Sequence, residues 1–96
     1  MEAVSLRIGP VVFDHANYDA ENDILYLSIG EPEPGEAEET PEGHAIRYAP
    51  GTNRIVGLTM LSPRYILERD GRLTVTFPEV VETRSAEEMA DVLVAA

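Results

Sequence analysis

Ninety-six residues make one domain by length, and a chain of this size buries roughly two-thirds of the surface it exposes when unfolded, enough for one modest core. Hydrophobic residues make up 44% and charged residues 26%, near globular averages, which excludes global disorder. The formal net charge of −11, with all seven basic side chains Arg, excludes nucleic acid and anionic membrane surfaces as general partners and suits a basic protein partner or solubility alone.

Cysteine is absent, which removes disulfides, thiolate catalysis and Cys-ligated zinc or iron–sulfur centres together. No apolar run reaches the ~20 residues that cross a bilayer. The opening Met1-Glu2-Ala3-Val4-Ser5 carries an acid where a signal peptide needs a base. A soluble cytoplasmic protein is the expectation.

In chain order, Val4 to Ile8 alternates apolar and polar residues, the period of a half-buried strand. Gly9-Pro10 interrupts it, and Val11 to Asp14 resumes at an edge or bulge, because Pro10 has no N–H for a ladder. Asn17 to Asp23 reads as a turn, with Asp and Asn suited to bonding their own backbone. Ile24 to Ile29 and Arg54 to Leu61 are short β-branched and aromatic runs bounded by turn formers, hence strands. Each is apolar on both faces of its pleat, as central strands are.

Gly30 to Gly43 holds three prolines and six glutamates. It reads as a long exposed acidic loop with a short edge pairing around Glu36 to Thr40. His44 to Ala49 alternates, and Pro50-Gly51 suits the centre of a type II turn, so 44–49 and 54–61 should form an antiparallel hairpin. Gly57 within the second strand marks a bulge or a close backbone approach. Asp70-Gly71 is a strong type I′ signal and predicts a second hairpin, 65–69 with 72–77. The C-terminal helix spans about 86–95, with Ser85 as N-cap, Glu88 completing a capping box, and Met89, Val92, Leu93 and Ala96 in one apolar stripe. The expected fold is a single α+β domain over 1–96. Its antiparallel sheet of five or six strands carries the C-terminal helix on one face, with the core between 18 and 62.

Two surfaces stand out as interaction candidates. Ile24 and Tyr26 project opposite Leu25, Leu27 and Ile29, and one short helix covers only part of one sheet face. The sheet must fold over on itself or a second copy must cover it, so a homodimer is expected. Glu31, Glu33, Glu36, Glu38, Glu39 and Glu42 form an anionic strip that suits a basic protein surface, or is simply a solvated loop. Arg64, Arg69 and Arg72 make a cationic spot or pair with neighbouring acids. No cofactor, metal or catalytic residue is assigned. Asp19, Glu21 and Asp23 lack the glycine and distal glutamate of a calcium loop, and no nucleophile motif accompanies the Asp14–His15 pair. The leading reading is a small non-enzymatic interaction module. The alternative is a small enzyme or a ligand or metal binder using a carboxylate–histidine site at Asp14, His15 or the 19–23 turn.

Tyr18-Asp19, then Asp23-Ile24-Leu25-Tyr26-Leu27, then Glu38-Glu39 and Arg54-Ile55-Val56-Gly57-Leu58 resemble, in order and spacing, a family of small bacterial proteins called domain of unknown function 2283. The resemblance covers roughly 18–62. It implies a small sheet-containing module without assigned activity, and an antitoxin-like role, since members are sometimes encoded beside small toxin-like proteins. Thr59 stands where the family often has an acid, which puts any function resting on a carboxylate there in doubt.

Overall fold

The two apolar runs form adjacent antiparallel strands in the computed structural model, which describes residues 6–8, 11–31 and 33–94. The elements are β1 (Leu6–Ile8), β2 (Val11–Phe13), β3 (His15–Asp19), β4 (Ile24–Ser28), β5 (Glu36–Glu39), β6 (Ala45–Tyr48), β7 (Ile55–Leu61), α1 (Pro63–Asp70), β8 (Arg72–Thr76), β9 (Val81–Ser85) and α2 (Ala86–Met89). Five strands make one antiparallel sheet in the order β3-β4-β7-β6-β5, and β1–β2 and β8–β9 are separate hairpins. The α+β class and the five-stranded antiparallel sheet are as expected.

Register decides which side chains are inside. Leu25 pairs with Met60, Leu27 with Leu58, and Leu58 in turn with Ile46. Since successive side chains alternate faces, these residues share one face, and all are buried. Four pieces cover that face. Ile8 and Phe13 come from the first hairpin, Leu67 from α1, Leu73, Val75 and Phe77 from β8 and its end, and Met89, Val92 and Leu93 from the C-terminal segment, all in one core cluster. A fully buried Leu, such as Leu25 or Leu27, contributes about 2 kcal/mol relative to exposure.

The β6–β7 hairpin closes as its turn residues require. Thr52 N–H donates to the Ala49 carbonyl oxygen at 3.0 Å, and Gly51 holds a positive φ of 73°. Gly57 also has a specific reason. The Arg47 guanidinium lies over it, so an added Cβ would sit 2.8 Å from Cζ of Arg47. The expected close approach is therefore a side chain of the neighbouring strand, and the register shift falls at Arg47/Tyr48 opposite.

Three expectations are corrected. The 65–69/72–77 hairpin does not form: Pro63–Asp70 is a helix, and β8 pairs with β9 instead. Pro63 starts the helix at a position where its missing N–H has no partner to lose. Gly71, at φ 77°, ends it by donating to the Leu67 carbonyl oxygen at 2.8 Å. The positive-φ preference read as a hairpin turn is that of a helix C-cap. Second, 17–19 is strand, and only 20–23 is turn. Tyr18 pairs with Leu25 and is 3% exposed, so burial draws its neighbours into the sheet.

Third, α2 is four residues long rather than ten, with turns to 94. Its capping box forms, Ser85 N–H to Glu88 Oε1 at 2.9 Å and Glu88 N–H to Ser85 Oγ at 3.2 Å. Val92 and Leu93 N–H groups then both donate to the Met89 carbonyl oxygen, and both side chains still reach the core beside Met89. The Val4–Ser5 part of the first strand, the Pro10 edge or bulge, and Ala96 of the apolar stripe lie outside the described residues.

Candidate functional site

The face of the sheet opposite the core presents Tyr26 opposite Thr59, Thr59 opposite Ala45, Ile24 opposite Leu61, and Ser28, Gly57 and Arg47 in one row. Tyr26 is 43% and Leu61 45% exposed, and Ile24, Thr59, Ala45 and Arg47 are half-buried. Gly57 is buried beneath Arg47. Sequence reasoning placed Ile24 and Tyr26 here. It missed Leu61, Thr59 and Arg47, because register, not pattern, brings them together. The Arg47 Nε is buried without a hydrogen-bond partner. Among the described residues, carboxylates stand at the margins of this face, Asp19 on β3 and Glu39 on β5.

The acidic strip separates into parts with different employment. Glu33 pairs with Arg54 at 3.0 Å on the surface. Glu42 accepts from the Thr76 N–H at 2.9 Å and Oγ at 2.6 Å, tying the β5–β6 turn to β8. Burial pushes the Glu42 carboxyl up, but the Thr76 hydrogen bonds outweigh it and leave the pKa below the usual value. Glu31 is exposed before β5. Glu36, Glu38 and Glu39 lie on β5, an exposed edge strand. Glu38 pairs with Ile46, so Glu36 and Glu38 project on the core side of the sheet, and Glu39 on the open side. On the core side Glu36 and Glu38 border a cleft of about 420 Å³, floored by Tyr48, Ile55 and Phe77 and closed opposite by Pro78, Glu79 and Val80.

The residues of the carboxylate–histidine alternative are placed apart. Asp14 and His15 are exposed neighbours, 3.6 Å between Oδ1 and Nε2, and Asp14 accepts from the Gly30 N–H. Asp19 accepts from the backbone and side chain of Asn22, which lowers its pKa. Asp23 accepts from the Tyr18 hydroxyl at 2.7 Å and from the Arg64 and Tyr65 N–H groups at 3.1 Å each. Burial raises its pKa, and these donors more than reverse that. Arg64 stacks over the Tyr18 ring at 5.1 Å and donates to the Leu93 carbonyl oxygen, while Arg69 pairs with Asp70. Two of the three arginines of the expected cationic spot thus have structural employment.

His44 was unassigned by sequence and is buried. Its Nδ1 accepts from the Leu61 N–H at 3.2 Å, which leaves the ring proton on Nε2, where it has no partner. No cluster of three His, Asp or Glu with metal-site geometry occurs among the described residues, and no described helix is long and apolar enough to cross a membrane.

The chain matches no family model, no curated protein and no solved structure.

Proposed function

We propose that this chain is a non-enzymatic protein-interaction module that acts in the cytoplasm as a homodimer, joined through the open face of its sheet, with its acidic edge free for a basic partner. One observation carries the reading: Tyr26 and Leu61 stand exposed, and Ile24 half-buried, on the face opposite a sealed core. An exposed apolar cluster flanked by Thr59, Ser28 and Arg47 suits an interface. A second copy suits it on grounds of charge. The chain carries −11 overall, yet the central strands show no carboxylate on this face, so two copies meet where their repulsion is least. An isologous pairing also sets each Arg47 against the partner's surface, where the marginal Glu39 and Asp19 supply acceptors. The resemblance of 18–62 to domain of unknown function 2283, with its antitoxin-like role, belongs to the same proposal.

Light scattering after size exclusion at micromolar concentration tests it. The wild type is expected at twice the chain mass of 10.5 kDa, and Tyr26→Glu at one chain mass with an unchanged circular dichroism spectrum. A wild type that elutes as a single chain overturns the proposal.

A further inference from the structure

The cleft beside β5 is a different surface from the open face, and its chemistry is one-sided. Its floor is aromatic and aliphatic, from Tyr48, Phe77 and Ile55, and its rims carry Glu36 and Glu38 on one side and Glu79 on the other. A second hollow shares Glu38, Tyr48, Phe77 and Pro78 and continues it toward Thr40, so the two make one groove along the strand. Among the described residues, no Arg or His lines either part. Burial, and then the field of Glu38, push the Tyr48 phenol pKa upward, as expected beside a negative wall.

The strand itself adds a second feature. Among the described residues β5 ends the sheet order and pairs with β6 alone, so its outward N–H and C=O groups have no sheet partner there. Gly35 lets the chain enter β5 tight against its neighbours, since a Cβ there would lie 3.1 Å from the Tyr48 carbonyl oxygen. A guard against edge-to-edge aggregation would explain the acids, but not the concave aromatic floor beside them.

We propose that this groove binds an extended, basic segment of a partner protein, which adds to β5 as a further strand and lays an Arg or Lys side chain along Tyr48 and Phe77 with its cation among Glu36, Glu38 and Glu79. The main-chain pairing supplies affinity and the pockets for alternate side chains supply selectivity. The long alkyl stem of Arg or Lys covers the apolar floor while its head stays with the carboxylates. Opposite charges facing each other across neighbouring strands add to the pairing.

This rests on the interaction-module reading and names the site and chemistry of its basic partner. The probe is a fluorescently labelled peptide alternating Arg and Val, titrated by anisotropy at physiological salt. Saturable binding to the wild type is expected. The E36Q/E38Q/E79Q variant should weaken it about tenfold, as three exposed ion pairs together would. An E21Q/E68Q/E87Q variant, with the same charge change elsewhere, should shift it less than about twofold. Methylating alternate peptide amides should also abolish binding. No binding to the wild type, equal loss in both triple variants, or indifference to amide methylation overturns the groove. Light scattering on the same samples separates the outcomes: a dimer that ignores the peptide loses the groove and keeps the open-face association.

Discussion

His44 shows how one buried side chain links this fold to pH. Burial holds its imidazole pKa below 6.5, with the Glu42 carboxylate opposing in part. The folded state therefore binds the proton less readily than the unfolded chain. Its contribution to stability is complete above pH 6.5 and is lost as pH falls through the folded pKa. Urea denaturation should show the wild type less stable at about pH 5 than at about pH 7, with His44→Gln losing part of that dependence. Should the variant fail to fold, the His44 ring resonances of the wild type give the same answer. A titration midpoint at or above 6.5 would contradict the burial argument. Nothing in the sequence around His44 announced this. The residue is polar, follows a loop and looks like a surface histidine until β7 brings the Leu61 N–H to its Nδ1.

At the scale of elements, α1 depends on a residue outside it. Ser62 stands at its N-cap in a left-handed conformation and makes no side-chain cap, and Pro63 has no N–H. The next two N–H groups, of Arg64 and Tyr65, are received by the carboxylate of Asp23 from the β3–β4 turn. The same turn takes the Ser62 N–H on the Asp23 carbonyl oxygen at 2.8 Å. Replacing Asp23 with Ala should destabilise the protein by about 2 kcal/mol, from the lost cap, the unpaired Tyr18 hydroxyl and the loss of a residue type that tolerates the positive φ of 53° better than Ala does. Asp23→Asn should cost about half as much, since Asn tolerates the turn and keeps one acceptor oxygen. Equal stability of the wild type and Asp23→Ala in chemical denaturation would contradict this capping role. The length of α1 also explains the corrected hairpin. Asp70-Gly71 satisfies either a hairpin or a helix end, and only the tertiary partner of β8, residues 81–85, decides between them.

At the scale of the whole molecule, a second copy couples association to stability. If two chains share the open face, folding and pairing are linked by mass action, and the thermal midpoint should rise with concentration over about a hundredfold range. The midpoint of Tyr26→Glu should not move. A wild-type midpoint independent of concentration would count against the dimer. The sequence by itself determined the existence and polarity of the central strands, the β6–β7 hairpin, the capping box at Ser85 and the anionic character of the edge, because each follows from alternation, turn chemistry or charge over a few neighbouring residues. It also separated Ile24 and Tyr26 from Leu25 and Leu27 onto opposite faces of the sheet. Only the tertiary structure decided that Arg47 lies on Gly57, that Asp23 caps a helix forty residues away in the chain, that His44 is buried, and that Glu36 and Glu38 border a groove while Glu33 and Glu42 are taken by Arg54 and Thr76. Those facts depend on strand register and on which distant segments meet, and no local pattern of residues encodes them.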